Sequence, residues 1–192
     1  MFRLPPLPFA PESLEPHLSV QTINEHYDVI HRNYVETLNH LIKDTPYEFV
    51  DIDELIRSLS AIKRHNHDPR VRAILHAAKQ HVCHSFMWEI LGPQGENDMF
   101  DDRTIECLKN EVKGVFGSGW VWIVPDDDPK STYEFDVFVS KNTSVIPMNA
   151  IYVIDVWEHA YYRDYNSDKG AYVDAYLQAT NWNAVRTLLN EA

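Results

Sequence analysis

The stretch DVWEHAYYRDY, from Asp155 to Tyr165, places acidic and imidazole side chains among tryptophan and tyrosine rings. Asp155 and His159 stand four residues apart within it. Aromatic side chains of this kind are usually part of a core, and a charged group buried there without a partner costs several kcal/mol. We therefore expect Asp155 and His159 to be paired, neutralised or bound to a metal.

The residues that lead into this stretch, AIYVIDVW at 150–157, predict a strand. Side chains alternate between the two faces of a strand, so Asp155 shares a face with Ile151 and Val153. Asp155 is then an inward-facing carboxylate at a strand end, and His159 follows where the chain turns into a helix.

The second half of the chain combines this strand with two more and with several helices. WVWIV and YEFDVFV are β-rich runs separated by the turn signal DDDPKST, so three strands in short succession predict a small antiparallel sheet. A helix capped by Asp101 or Asp102 precedes the sheet and is predicted to stop at Gly117. Three helices close the chain, at about 158–165, 168–178 and 181–190.

The first half has helical periodicity. Apolar residues recur every three or four positions between about 20 and 43, which predicts one long helix with Thr22 and Glu25 as its capping box. A shorter helix follows from Asp53 to about 63, and another runs from Pro69 to Gly92. We predict an α+β fold, with an N-terminal α-helical hairpin domain at 1–95 and a C-terminal α/β domain with a three-stranded antiparallel sheet at 96–192.

Two histidines of the first half lie on apolar helix faces. His84 stands beside Phe86 and Trp88, with Gln80 one turn earlier, and His26 shares a stripe with Ile30 and Tyr34. Each could be an ordinary core histidine. Together with Asp155 and His159 they could also form a metal site, and the pattern alone leaves both readings open. The loop histidines His65 and His67 are expected to be solvated.

Composition excludes several classes of partner. The formal charge of −12 argues against binding to nucleic acid or to an anionic membrane, because both reward clustered Lys and Arg. No apolar run approaches the ~18 residues that a membrane helix needs, and prolines interrupt the N-terminal stretch where an export signal would be apolar. Cys83 and Cys107 are too few for a disulfide framework, so we expect free thiols and a cytoplasmic protein.

Several motifs along nearly the whole chain resemble the iron/manganese superoxide dismutase family. They are LPPLPFAPESLEPHLS, HYxxxHxxYV, LIK, HSFxW, GSGWVW and DVWEHAYYRDY, in the family's order. The resemblance implies that the chain turns superoxide into dioxygen and hydrogen peroxide with one redox metal, iron or possibly manganese. The metal ligands it implies are His26, His84, Asp155 and His159. Three imidazoles and one carboxylate suit iron, manganese or zinc, so ligand softness alone does not choose the metal.

The resemblance also implies the surroundings of the metal. Gln80, four residues before the second ligand, is where the iron type carries its solvent-contacting glutamine, while KNTSVIPM holds none where the manganese type carries it. The other side chains that it places in the catalytic site are Tyr34 and His31 on a proton path, Trp122 and Trp157 in the wall, and Lys169 as the positive charge at the entrance. It further implies a homodimer in which Glu158 reaches the partner's His159 and Tyr162 lies at the interface.

Some positions depart from the family's usual residues. Ile30 replaces a histidine, Met87 a tyrosine, Cys83 an asparagine and Lys169 an arginine, which keeps the charge and loses the planar fork. These departures leave open a second reading, a metal-binding protein of the same fold with weak or no dismutase activity. A zinc hydrolase fits the ligands but lacks a general base beside them, because Glu158 is expected at the dimer interface.

Overall fold

A computed structural model describes residues 1–63, 68–93, 95–126 and 134–192. The loop histidines His65 and His67 and most of the turn DDDPKST lie outside these ranges. The chain divides into two compact units, one formed by 1–6 with 25–85 and the other by 7–24 with 86–192. The domain boundary after residue 95 stays a prediction.

The elements follow the predicted order. The helices are α1 (Val20–Asn24), a π-helical turn (Glu25–His31), α2 (Arg32–Ile42), α3 (Ile52–Lys63), α4 (Pro69–Ile90), α5 (Asp102–Gly114), α6 (Glu158–Tyr165), α7 (Lys169–Gln178) and α8 (Trp182–Glu191). The strands are β1 (Gly119–Pro125), β2 (Phe135–Lys141) and β3 (Tyr152–Asp155). Short 3₁₀ turns lie at Pro11–Leu14 and Pro46–Phe49. The predicted fold class, a helical hairpin followed by an α/β part with a three-stranded antiparallel sheet, is confirmed.

The first unit has an apolar core made by α2, α3 and α4. Leu38 and Leu59 are fully buried within it, and Leu75 is nearly so. Burying a leucine side chain contributes about 1.5–3 kcal/mol each, which is far more than helix propensity supplies. The guanidinium of Arg70 at the start of α4 also donates to the carbonyl of Leu41 at 2.8 Å. These contacts fix α4, the helix that carries His84.

The π-helical turn changes which side chains face inward. In a regular α-helix, residues five apart point about 140° away from each other, whereas i→i+5 bonding brings them toward one side. His26 and His31 are accordingly both buried, at 3% and 0% exposure. The predicted stripe through Ile30 was wrong, because Ile30 is only half-buried and the inward position passes to His31.

The start of this helical run also differs from the prediction. The hydroxyl of Ser19 accepts a hydrogen bond from the Thr22 amide at 3.2 Å, so Ser19 acts as the cap in place of the predicted Thr22 and Glu25. Thr22 is instead buried.

The second unit is built on the sheet, whose strand order is β2-β1-β3. Trp120 of β1 lies opposite Asp155 of β3, and Trp122 lies opposite Val153. Directly opposed residues share a face, so both tryptophans stand on the face that carries the Asp155 side chain. Every residue of β3 is buried. The inward orientation predicted for Asp155 is therefore confirmed.

Two glycines explain the GSGW motif before β1. Gly117 has φ +82°, a conformation that side chains disfavour, and a Cβ at Gly119 would lie 2.8 Å from the carbonyl oxygen of Ser140. The helix before them ends at Gly114, three residues earlier than predicted. The left-handed turn at Gly117 belongs to the entry into β1.

Among the described helices, none is long and apolar enough to cross a membrane.

Candidate metal centre

His84 on α4 is held in one tautomer by its own helix. Its Nδ1 lies 2.7 Å from the carbonyl oxygen of Gln80, one turn earlier. A carbonyl oxygen only accepts hydrogen bonds, so Nδ1 carries the proton and the lone pair of the neutral ring is on Nε2. The ring is fully buried. Imidazoles that bind metals are typically oriented by such a bond from the other ring nitrogen.

Other rings of the first unit pack around His84. The ring of His26 meets it edge to face at 4.9 Å, and the ring of His31 stacks on it at 5.2 Å with 21° between the planes. Tyr34, half-buried on α2, has its ring 5.5 Å from His84 and 5.8 Å from the ring of His76. The structure thus brings three predicted site residues, His26, His31 and Tyr34, to the ring of a fourth.

His31 has a second partner that sequence reasoning missed. Its Nε2 lies 2.8 Å from Nδ1 of His81 on α4. Burial lowers the pKa of His31 to about 3, with smaller contributions from His81 and His26, and burial lowers the pKa of His81 to about 4. Both rings are therefore uncharged near pH 7. No sequence signal links two residues 50 positions apart on different helices.

In the second unit, Asp155 and His159 form a close pair at the end of β3. The Asp155 Oδ1 accepts from the backbone amide of Trp157 at 2.8 Å, and its Oδ2 lies 3.3 Å from Nε2 of His159. Two ligands that each bind one ion at about 2.1 Å stand roughly 3.0–3.6 Å apart at ordinary coordination angles. The separation therefore suits two adjacent ligands of a single ion.

Two tyrosines of α7 fix the strand that carries Asp155. The hydroxyl of Tyr172 donates to the Asp155 carbonyl and that of Tyr176 to the Val153 carbonyl, each at 3.0 Å. Both phenols are buried, and burial raises their pKa values well above the usual value. They therefore stay protonated as donors. The spacing of four residues in YVDAY, matched to two strand residues on one face, is the signal that could have identified them.

His26, His84, Asp155 and His159 form the one group in the described ranges that could hold a metal ion. Each offers one ligand atom, and these atoms all lie within 4.8 Å of one another. The first three residues are buried and His159 is half-buried. Three imidazoles and one carboxylate fit a divalent or trivalent first-row metal, and a buried carboxylate is most easily accommodated beside a cation.

Gln80 and Trp122 each bury a polar group that none of the described residues satisfies. Neither Oε1 nor Nε2 of Gln80 has a hydrogen-bond partner among the described residues, and the same holds for Nε1 of Trp122. Gln80 is 0% exposed and Trp122 1%. Most buried polar groups in proteins are bonded, so such exceptions indicate a bound non-protein partner such as solvent or a ligand. These unsatisfied groups are therefore also consistent with a site that binds solvent or a ligand.

The remaining predicted site residues lie in the second unit. The ring of Trp157 is 6.0 Å from the ring of His159. Lys169, half-buried at the start of α7, donates from Nζ to the Val115 carbonyl at 2.7 Å, and its Nζ lies 6.0 Å from the centre of the Tyr161 ring. Burial lowers the pKa of Lys169, while the nearby charge of Glu158 acts in the opposite direction.

The residues expected at a dimer interface, and the positions that depart from the family, occupy different environments. Glu158 is exposed, and Tyr162 is 53% exposed. Of the departures, Cys83 and Met87 are buried residues of α4, while Ile30 is half-buried. The two cysteines are free, as predicted.

Two family models match consecutive segments of the chain. The alpha-hairpin domain of the iron/manganese superoxide dismutases matches residues 1–92, and their C-terminal domain matches residues 97–188. Proteins named Superoxide dismutase [Fe] from Coxiella burnetii and Escherichia coli are 33% and 32% identical, each over 96% of both chains. One from Plasmodium falciparum is 32% identical over 98% of this chain and 96% of its own. The chain therefore belongs to the iron/manganese superoxide dismutase family.

Proposed function

We propose that this protein is a superoxide dismutase, an oxidoreductase that converts two superoxide anions and two protons into dioxygen and hydrogen peroxide. The observation that carries the proposal is the buried group His26, His84, Asp155 and His159 in a chain whose relatives are named for this activity with iron. When bound, the metal supplies the alternating one-electron oxidation and reduction of superoxide.

We assign the four residues of this group as the metal ligands. The orientation of two of them is set by main-chain bonds, His84 through the Gln80 carbonyl and Asp155 through the Trp157 amide. A ligand that is already oriented loses little freedom when it binds, which favours a tight and well-defined site.

Iron is the proposed metal, with manganese as a possible substitute. The relatives cited above carry iron in their names, and Gln80 has a buried amide that no protein group in the described ranges satisfies. We propose that this amide bonds to solvent held at the metal. A glutamine at this position is the family's iron-type pattern. The manganese type carries its glutamine in the segment that corresponds to KNTSVIPM, which contains none here.

Tyr34 and His31 are proposed to supply protons to the reaction. Tyr34 is half-buried and its ring lies 5.5 Å from the ring of His84, and we propose that its hydroxyl takes up protons from solvent. A proton taken up at this hydroxyl can be passed inward, which the reduction of superoxide to hydrogen peroxide requires. His31 packs on the same ligand ring and stays uncharged near neutral pH.

Lys169 is proposed to attract superoxide, and Trp122 and Trp157 to wall the cavity. A chain with a formal charge of −12 repels an anion at long range, but beyond about 8 Å at physiological salt that repulsion is largely screened. The half-buried ammonium of Lys169 is then proposed to supply local positive charge that attracts the anion. Its bond to the Val115 carbonyl fixes the position of the charge.

The proposal extends to assembly and location. We propose a homodimer through Glu158, His159 and Tyr162, because Glu158 and Tyr162 are exposed and stand in the same helix as the ligand. Sedimentation of the wild-type protein and of Glu158→Ala tests it. A cytoplasmic location, supported by two free cysteines, is tested by cell fractionation. The division into domains at 1–95 and 96–192 is also proposed, in line with the matched segments 1–92 and 97–188.

The test is the rate of superoxide dismutation by protein loaded separately with iron and with manganese, with metal content measured in each sample. Activity with iron that hydrogen peroxide destroys supports the assignment. The matched pair is His26→Ala, which should lose both metal and activity, and His40→Ala, an exposed histidine of α2 that should keep both. If fully loaded protein is inactive with both metals, the chain is a metal-binding protein of this fold, as the departures at Ile30, Met87 and Lys169 allow.

A further inference from the structure

Two histidines of the first unit are joined by a hydrogen bond next to the proposed ligand His84. Nε2 of His31, on the π-helical turn, lies 2.8 Å from Nδ1 of His81, on α4. The ring centres are 5.0 Å apart. Between two uncharged imidazoles such a bond needs one N–H and one lone pair, so the tautomers of the two rings must be complementary.

The bond also fixes the plane of the His31 ring. Rotation about χ2 of a histidine is broad, so packing or a hydrogen bond has to select one orientation. The His31 ring lies on the His84 ring at 5.2 Å and only 21° from parallel. Rotation of His31 about χ2 would change both that stacking and the direction of its ring nitrogens.

His81 is itself held in place. Its Nδ1 is 3.4 Å from the hydroxyl of Ser85, one turn later on the same helix, and its ring is 6.3 Å from the ring of Phe2. His81 is half-buried, while His31 is fully buried. The pair therefore runs from a partly exposed ring, through a fully buried ring, to the face of His84.

We propose that His81 is a positioning residue, which holds His31 flat against the proposed metal ligand His84 through the bond between Nδ1 and Nε2. This inference rests on the proposed role of His84. It predicts that replacing His81 changes the surroundings of the metal, although His81 itself does not bind the metal. It also predicts that a residue with a polar atom at the Nδ1 position can substitute for His81.

Two substitutions separate the hydrogen bond from the size of the side chain. In His81→Asn the amide group occupies the region of Nδ1 and keeps a polar partner for His31. In His81→Leu that partner is lost while an apolar side chain of similar bulk remains. His40→Leu, at an exposed position of α2, is the matched control for loss of an imidazole.

The first measurement is NMR of zinc-loaded, ¹⁵N-histidine-labelled protein, which reports the pair whether or not the protein is a dismutase. The wild type should show a scalar coupling between His31 Nε2 and His81 Nδ1. In His81→Leu the ¹⁵N shift of His31 Nε2 should move to that of a nitrogen without this bond, and in His81→Asn it should stay near the wild-type value. Absence of the coupling in the wild type would overturn the proposal.

The second measurement is made on iron-loaded protein, by electron paramagnetic resonance of the ferric state, azide affinity, and kcat/KM across pH. His81→Leu should shift the ferric spectrum and weaken azide binding about fivefold, which corresponds to about 1 kcal/mol for one hydrogen bond. His81→Asn should restore both, and His40→Leu should change neither. Equal losses in the Asn and Leu variants, or a wild-type spectrum in the Leu variant, would refute positioning by the bond. If the wild type binds azide and the His81 variants show these changes, but the wild type does not dismutate superoxide, the inference stands and the proposed function fails.

Discussion

Replacing Gln80 by leucine should stabilise the metal-free protein and impair the metal-loaded one. The side chain of Gln80 is 0% exposed, and neither of its polar atoms has a hydrogen-bond partner in the described part of the chain. A buried amide without a partner costs about 1–3 kcal/mol by protein mutational data. Leucine has similar volume and no polar atoms, so the free energy of unfolding of the metal-free protein should rise by about that amount.

The assay is guanidinium unfolding of the metal-free protein, followed by calorimetry. For a chain of this size, each kcal/mol should raise the thermal midpoint by about 2–4 °C. Gln178→Leu is the control, because Gln178 is exposed on α7 and its replacement should stay within about 0.5 kcal/mol of the wild type. The iron-loaded Gln80→Leu protein should dismutate superoxide about 10–100-fold more slowly, as is typical when a partner of the metal site is lost.

Opposite signs in the two assays are the signature of a residue kept for function at a cost in stability. If Gln80→Leu destabilises the metal-free protein by more than about 1 kcal/mol, the amide is satisfied by the protein and the argument is wrong. If the loaded variant keeps its full rate, Gln80 does not act at the metal. Each result is informative alone, because unfolding of the metal-free chain does not depend on the chemistry of the metal.

Three further predictions concern the ligands, pH and charge. Asp155→Ala should reduce bound iron from about one per chain to near zero, by elemental analysis, because the only carboxylate of the proposed ligand set is removed. His31 and His81 have pKa values of about 3 and 4 in the folded protein, below the value of 6.5 expected when unfolded, so the unfolded chain binds more protons in acid. Stability of the metal-free protein should therefore be fully present above pH 6.5 and fall toward pH 4, by up to roughly 1.4 kcal/mol per pH unit for each histidine, and guanidinium midpoints that do not change over this range would contradict it. Lys169→Met should lower kcat/KM for superoxide and flatten its dependence on ionic strength by pulse radiolysis, whereas Lys169→Arg should keep both.

The sequence predicts most elements because their ends carry strong local signals. The side chain of Asp101 accepts from the Thr104 amide at 2.8 Å, as a capping aspartate should, and α5 begins directly after it. The sheet follows from three short β-rich runs, and the inward orientation of Asp155 from simple alternation. The ligand set itself could not be derived from periodicity. It needed the family resemblance, since each histidine alone suits a core position equally well.

The misses have a common cause, which is that they depend on contacts rather than on local pattern. A fixed period of 3.6 residues places Ile30 on the inward stripe, and only the π-helical turn moves that place to His31. The bond between His31 and His81 joins positions on two helices, so no window of sequence contains it. The spacing of Tyr172 and Tyr176 is a local signal, but their role also requires knowing that α7 packs along β3.

The orienting bonds of the proposed ligands bear on whether the departures from the family abolish activity. His84 is aligned by the carbonyl of Gln80, and the Asp155 carboxylate by the amide of Trp157, so both bonds come from the main chain. Substitution of a neighbouring side chain leaves main-chain donors and acceptors in place, and neither Ile30 nor Met87 contributes to these two bonds. The departures therefore leave the main-chain orientation of His84 and Asp155 intact, so we expect them to change the rate of dismutation rather than to abolish metal binding.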